Sequence, residues 1–267
     1  MKKVFVLIVC IGMIAGLGLG GFMMVKDALT NSNTKQSETQ QEDDPKYTTR
    51  ESAYASKYPD LSEEEVKKRV AMHLDETPSE AAKEVADPNS VTVLVNQYNV
   101  LNKDYIPEDL EIISQDDQGI LAMRKEAANA YKELVKAAKA ENIDLQLMTA
   151  YMPYEVIHES YTSLLEGNSK EAVDASFADA GASEYQTGLC GDIQIGKDEG
   201  AQQVIAQDPG YEWLQNHLQD YGFVIRYTQD KSQYTLMNGQ PWHIRYVGKQ
   251  AAQKMAEDHL CLEEYSL

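Results

Sequence analysis

Residues 4–25 form an uncharged apolar run of 22 residues that follows Lys2 and Lys3. A helix of that length, with a rise of about 1.5 Å per residue, matches a hydrocarbon core of roughly 30 Å. The run therefore predicts a membrane-spanning helix. The two lysines favour a cytoplasmic N-terminus, with the rest of the chain outside the cell. A cleaved signal peptide is the alternative, because the second half of the run is rich in glycine.

The predicted anchor divides the chain into three parts. Residues 1–25 form the cytoplasmic tip and the anchor. Residues 26–47 are polar and too poor in apolar groups to offset the entropy of ordering, so they predict a disordered tether. Residues 48–267 then form an extracellular domain. Within the anchor, Gly12, Gly16 and Gly20 would let two such helices pack closely, so a helix-mediated dimer is one hypothesis and glycines merely tolerated in lipid are the other.

Charge and cysteine content exclude several functions. The chain has 24 Lys and Arg against 43 Asp and Glu, a formal net charge of -19 that repels phosphate backbones. We therefore expect no nucleic-acid partner. The cysteines, at positions 10, 190 and 261, are too few for a disulfide framework or a thiolate zinc cluster. At most one bridge, between Cys190 and Cys261, can form in the extracellular part.

Hydrophobic periodicity predicts an α+β domain in which helices pack on a small antiparallel sheet. The predicted helices cover residues 63–74, 120–140, 155–165, 211–218 and 249–259. The predicted strands cover residues 91–101, 145–150, 189–195, 223–227, 234–237 and 243–246. This pattern predicts a single folded domain after the tether.

Polar groups concentrate next to two of these strands, in SEYQTGLCGD (residues 183–192) and GQPWHIRYVG (residues 239–248). Together the two segments resemble the signatures of the VanY-type D-alanyl-D-alanine carboxypeptidases, zinc peptidases that act on peptidoglycan. The resemblance extends from residue 58 to residue 248 and leaves out the anchor, the tether and the end of the chain. It implies the fold of that family, a zinc cofactor and a peptidoglycan stem peptide as the ligand.

The zinc signature of the family has the form S-x-H-x-x-G-x-A-x-D, and a third ligand is the His of E-P-W-H. The resemblance implies that Asp192 and His243 are zinc ligands, and that Ser183 lies beside the substrate. Tyr185, however, stands where the first zinc-binding His belongs. A phenol with a pKa near 10 is a poor ligand at neutral pH, so the sequence predicts weak or absent zinc binding.

Other positions of the family pattern are also changed. Gln240 stands where the glutamate general base belongs, and a carboxamide accepts no proton at any working pH. In TAYMPYEVI (residues 149–157), Met152 and Ile157 replace the Arg and Gln that would face the substrate. Binding of a terminal carboxylate in the family's manner is therefore not expected. Cys190 replaces the small alanine of the zinc signature.

The roles of three residues stay open. A Cys190 thiolate could complete a rearranged metal site with Asp192 and His243, because residues i and i+2 of a strand share a face; the alternative is a small buried apolar group. Arg245 could bind a peptide carboxylate or form a structural ion pair, as could Arg226.

The sequence favours a membrane-anchored, catalytically degenerate relative that binds peptidoglycan stem peptide or a wall-associated partner. The alternative is an active zinc carboxypeptidase that uses a rearranged metal site. A third hypothesis is an interaction module that works through its anchor helix. The predicted location is the cell membrane, with one span and an extracellular C-terminal domain.

Overall fold

The computed structural model describes residues 46–116, 119–198 and 200–267. Its helices are α1 (Thr49–Lys57), α2 (Glu63–Ala71), α3 (Pro78–Ala81), α4 (Lys125–Ala140), α5 (Tyr154–Leu165), α6 (Lys170–Asp174), α7 (Tyr211–His217), α8 (Ser232–Thr235), α9 (Lys249–Glu257) and α10 (Leu262–Tyr265). Its strands are β1 (Lys83–Glu84), β2 (Asn99–Val100), β3 (Leu110–Asp116), β4 (Gly119–Arg124), β5 (Leu145–Thr149), β6 (Cys190–Ile195), β7 (Phe223–Tyr227) and β8 (Gln240–Tyr246).

A four-stranded antiparallel sheet, in the order β5-β6-β8-β7, organises the domain. Side chains alternate between its faces, as the period of a strand requires. One face is apolar: Ile193 and Ile244 are fully buried and belong to the main core. The buried residues of α4 belong to the same core; they are Ala127, Ala128, Tyr131, Leu134 and Ala138.

The other face of the sheet is polar although it is buried. In the pairing of β6 with β8, Cys190 lies opposite Arg245 and Asp192 opposite His243. A 3-10 helix, Glu184–Thr187, precedes β6 and supplies further polar side chains to this face. Gly188 ends that helix with φ +66°, and an added Cβ would meet a Leu110 side-chain carbon at 3.0 Å. The glycine of the motif therefore serves a sharp, crowded turn.

Most of the predicted elements are confirmed within one to three residues, but residues 91–101 are not the predicted strand. Of this segment only Asn99–Val100 is a strand, paired in parallel with β1. The carbonyls of Val91 and Val93 accept hydrogen bonds from Arg245, at 3.1 and 2.8 Å. Because these carbonyls bond to a side chain, a β-branched run ends up irregular.

The single helix predicted over residues 120–140 is also wrong. Residues Gly119–Arg124 form β4, which pairs with β3, a strand that the periodicity did not predict. The helix begins only at Lys125. The hydrophobic pattern of this short apolar segment is compatible with either a helix or a strand. The backbone hydrogen bonds that β3 supplies make it a strand.

Residues 234–237 form the end of a short helix and a turn rather than the predicted strand. Tyr234 and Thr235 lie in α8, and Leu236 has a φ of +58°, which no strand contains. The Tyr234 hydroxyl donates to Glu65 at 2.8 Å, and its ring packs near Met72 and Cys261. These distant contacts draw the segment away from the sheet.

Several expectations concern residues at the N-terminus or the cysteines. The predicted anchor, its glycine face and residues 26–45 of the tether lie outside the described residues. Within the described ranges, no helix is long and apolar enough to cross a membrane. Cys190 and Cys261 are both buried free thiols, so the bridge that the sequence permitted is not formed.

The close approach of β5 and β6 makes Gly191 a sensitive position. A Cβ at residue 191 would lie 2.7 Å from the Thr149 carbonyl oxygen and 2.8 Å from a Leu147 carbon. We expect Gly191→Ala to lower the free energy of unfolding by about 1–3 kcal/mol through overpacking, measured by urea denaturation. Gly167→Ala is the control, because a Cβ there meets nothing within 4 Å. Equal stability of the two variants would contradict the expectation.

Candidate functional site

Asp192 is the centre of a hydrogen-bonded cluster on the polar face of the sheet. His243 Nδ1 donates to Asp192 Oδ1 at 2.8 Å, since a carboxylate can only accept. The Tyr185 hydroxyl donates to Asp192 Oδ2 at 2.8 Å, and Gln202 Nε2 donates to the same oxygen at 3.2 Å. The predicted metal positions 185, 192 and 243 are therefore brought together, but hydrogen bonds join them to one another.

Aromatic packing fixes the imidazole in this cluster. The ring centroids of Tyr185 and His243 lie 5.1 Å apart in an edge-to-face arrangement, and Tyr227 lies 5.1 Å from His243 on another side. All three side chains are buried. A zinc ion in the family's position would need an imidazole at residue 185 and an oxygen of Asp192. The phenol and its bond to Asp192 do not fit that ion.

Glu184 lies next to this cluster, within a buried ion network. Its Oε1 accepts from Arg226 Nε at 2.8 Å and from Arg245 at 2.5 Å. Arg226 also donates twice to Glu263, at 2.9 and 2.7 Å. Burial opposes ionisation of Glu184, but Arg226 and Arg245 outweigh it and hold its pKa well below the usual range.

The structure confirms the ion-pair interpretation of Arg245 and Arg226. Both guanidinium groups are fully buried. Besides Glu184, Arg245 donates to the carbonyls of Tyr246, Val91 and Val93. No such bond directs Arg245 toward an open cleft, so its hypothetical role in binding a substrate carboxylate has no geometric support.

Cys190 lies on the same face as Asp192, as the strand period predicts. Its side chain is fully buried, and burial raises the pKa of the thiol. The ligand atoms of Cys190, His243 and Glu184 all lie within 4.8 Å of one another. The grouping differs from the predicted one, because Glu184 rather than Asp192 completes it.

His243 is held between two carboxylates. Burial alone would lower its pKa, but the Cys190 sulfur and the carboxylates of Asp192 and Glu184 raise the pKa well above its ordinary value. His243 Nε2 lies 3.7 Å from Glu184 Oε2. This distance is too long for a hydrogen bond.

Gln240, at the position of the family's general base, is engaged as a hydrogen-bond donor. Its Nε2 donates to the Ser176 carbonyl at 3.0 Å. A narrow cleft of about 20 Å³ opens beside it. The cleft is lined by Ser176, Phe177, Ala178, Ser183, Glu184, Tyr185, Tyr227, Met237, Gln240 and His243. Ser183 lies at the wall of this cleft, and its predicted place beside a substrate stays a prediction.

Met152 and Ile157 lie next to the site, in an apolar cluster. They are 7% and 0% exposed and pack with Tyr185 and Cys190, and Phe177 packs against the group. The backbone N–H of Met152 donates to the Tyr185 carbonyl at 3.2 Å. Apolar side chains therefore fill the space where the family's substrate-facing Arg and Gln would extend.

The bond from Tyr185 to Asp192 can be tested by removing one oxygen. We expect Tyr185→Phe to lower the free energy of unfolding by about 1.5–3 kcal/mol, because a buried carboxylate loses a donor. Tyr131→Phe is the matched control: the Tyr131 hydroxyl is buried and has no hydrogen-bond partner among the described residues. Its removal is expected to be neutral or stabilising. Chemical denaturation of both variants measures the effect. An equal loss of unfolding free energy in the two variants would contradict the assigned hydrogen bond.

Comparison with known proteins shows the family to which this chain belongs. The family VanY, D-alanyl-D-alanine carboxypeptidase, matches residues 120–249. YodJ of Bacillus subtilis (strain 168) is 32% identical over 94% of this chain and 90% of its own length. A D-alanyl-D-alanine carboxypeptidase of Enterococcus faecalis is 30% identical over 73% of each chain. The chain therefore belongs to the VanY D-alanyl-D-alanine carboxypeptidase family.

Solved structures agree with this assignment. The LD-carboxypeptidase LdcB, whose structure addresses peptidoglycan recognition, superposes with a TM-score of 0.63 at 31% identity, over 69% of this chain and 89% of LdcB. VanY from a VanB-type resistance cassette, solved with Zn(II), gives a TM-score of 0.54 at 29% identity, over 66% and 99% of the two chains. VanYB, solved in complex with D-alanine-D-alanine, superposes with a TM-score of 0.54 at 30% identity, over 66% of this chain and 97% of VanYB.

Sequence reasoning missed several residues that complete the site. Gln202 and Ser176, which bond to Asp192 and Gln240, lie in irregular segments that carry no pattern. Glu263 lies beyond the region of resemblance. Glu184 has a detectable signal, because it stands next to Tyr185 in the first motif.

Proposed function

We propose that this chain is a catalytically inactive member of the VanY family that binds the peptide stems of peptidoglycan, or a wall-associated partner, without cleaving them. The observation that carries the proposal is the 2.8 Å hydrogen bond from Tyr185 to Asp192. It occupies an oxygen that the family's zinc would need. Gln240 adds a second obstacle, because an amide cannot take a proton from an attacking water.

The proposed ligand follows from the family and from the cleft. Relatives are named for D-alanyl-D-alanine carboxypeptidase activity, and one solved relative holds D-alanine-D-alanine. In this chain the cleft keeps Ser183 and the Gln240 amide on its wall. These groups can hydrogen-bond to a peptide backbone.

Two measurements on the full-length chain test this proposal. With zinc added, we expect no release of D-alanine from stem peptides that end in D-Ala-D-Ala. Titration with muropeptides is expected to give saturable binding, which Ser183→Trp, a substitution that fills the cleft, should abolish. No binding at millimolar muropeptide would remove the ligand half of the proposal, and robust D-alanine release would remove the catalytic half.

The second candidate is an active carboxypeptidase with a rearranged metal site. The grouping of Glu184, Cys190 and His243 favours it, because it offers three ligand types that zinc accepts. One result distinguishes this candidate from the first. An active enzyme would release D-alanine, and the release would stop when a chelator is added and also in the His243→Ala variant.

We also propose that residues 4–25 anchor the protein in the cell membrane, with residues 48–267 outside. The support is the uncharged length of the run and the two lysines before it. Protease added to intact protoplasts is expected to digest the domain and leave a small membrane-bound fragment. Recovery of the whole chain in the soluble fraction would contradict the anchor.

A further inference from the structure

Two polar atoms at the site, Glu184 Oε2 and His243 Nε2, have no hydrogen-bond partner among the described residues. Both belong to side chains that are 2% exposed. The two atoms lie 3.7 Å apart, and the ligand atoms of Glu184, Cys190 and His243 lie within 4.8 Å of one another. A buried polar atom without a partner is costly, so a fully satisfied structure would have something between them.

The arrangement around these atoms resembles the surroundings of a bound metal. A metal-binding imidazole usually donates its other ring N–H to a carboxylate, which fixes the ring and its tautomer. His243 does this through Nδ1, which donates to Asp192. Glu184 is held in the same way, because its other oxygen accepts from Arg226 and Arg245. Nε2 and Oε2 are thus held in place by the bonds that their side chains make.

The charges around this space are compatible with a divalent cation. Two guanidinium groups, of Arg226 and Arg245, face three carboxylates, of Glu184, Glu263 and Asp192. With an imidazolium at His243 the buried cluster is neutral. A divalent ion that replaces the imidazole proton and the Cys190 thiol proton leaves it neutral. A metal-bound thiol gives up its proton, so that sulfur becomes a thiolate on binding.

We propose that Glu184, Cys190 and His243 bind a zinc-class divalent ion, displaced from the family's position by the Tyr185 to Asp192 bond. The thiolate, imidazole and carboxylate are the donors that zinc prefers over calcium or magnesium. The cleft reaches Glu184 and His243, so a water can complete four-fold coordination. Asp192, which the resemblance implies is a zinc ligand in the family, would here orient His243 instead. The inference does not depend on the proposed function, because its test measures metal binding alone.

Cobalt(II) titration of the full-length chain tests the site. Cobalt replaces zinc and gives a near-ultraviolet charge-transfer band only when a thiolate binds it. We expect the band to saturate at one cobalt per chain, and to be lost on adding zinc. Cys190→Ala, which introduces the residue that the family carries there, is expected to abolish the band. Cys10→Ala and Cys261→Ala are the matched controls and are expected to retain it.

A second variant separates the displaced site from the family's site. Asp192→Asn is expected to keep the band while weakening cobalt binding about 10- to 100-fold, the effect of losing an orienting carboxylate. If Asp192 were a direct ligand beside Tyr185, cobalt would bind without a thiolate band. Binding without the band, a band that survives Cys190→Ala, or no cobalt binding by the folded chain would each overturn the proposal. Circular dichroism confirms that each variant is folded.

Discussion

Replacing Glu184 with glutamine is expected to lower the free energy of unfolding by about 3–5 kcal/mol, the cost of breaking a buried ion pair by removing one partner. Glu184 is fully buried and compensates parts of two guanidinium groups, Arg226 and Arg245. Its removal leaves positive charge in a medium that solvates charge poorly. Urea denaturation in the presence of a chelator measures the effect without any contribution from metal.

The control for this prediction is an ion pair in solvent. Lys67 pairs with Glu63 four residues before it on α2, and both side chains are more than 40% exposed. Lys67→Ala is expected to leave the free energy of unfolding almost unchanged, because solvent screens the pair. A loss of similar size in both variants would mean that the buried network adds little to the fold, and the prediction would fail.

Restoring the family's residues is expected to produce the largest change in activity. A variant that carries Tyr185→His, Gln240→Glu, Met152→Arg and Ile157→Gln is expected to release D-alanine from D-Ala-D-Ala peptides when zinc is present, whereas no release is expected from the unaltered chain. Tyr185, Met152 and Ile157 pack in one cluster. Exchanging all three residues together therefore replaces most of the buried apolar side chains of this cluster in one step.

The contribution of each position can be separated by omission. Without Gln240→Glu, the rate is expected to fall by about 10²–10⁴, the usual contribution of a general base. Without Met152→Arg, weaker substrate binding is expected, because no guanidinium holds the terminal carboxylate. Melting temperatures of all variants serve as the folding control. An equal rate with and without Gln240→Glu would contradict the role given to that position.

Much of the sheet could be predicted from the sequence, because its strands alternate apolar and polar residues. The pattern of each strand is contained within its own segment. Phe223–Tyr227 is found with the predicted bounds, and Cys190–Ile195 differs by one residue. The failures fall where a distant partner decides the structure. Gly119–Arg124 becomes a strand because Leu110–Asp116 pairs with it, and periodicity in a single segment contains no information about that partner.

The site shows the same division. The motifs bring Tyr185, Asp192 and His243 together. The bond from His243 to Asp192 joins partners on paired strands, and the bond from Tyr185 to Asp192 joins two residues of the same motif. The Glu263 contact with Arg226 joins residues far apart in sequence. No local pattern marks a glutamate near the end of a chain as the partner of a buried arginine, so such pairs appear only in three dimensions.

The bonds from Arg245 to the carbonyls of Val91 and Val93 have a consequence for motion. A segment without helix or strand usually opens locally and exchanges its amide hydrogens quickly. Here, local opening would also strip a fully buried guanidinium of two acceptors. The amide of Val93 should therefore exchange with deuterium about as slowly as those of the central strands, and this irregular stretch should belong to the most cooperative unfolding unit of the domain.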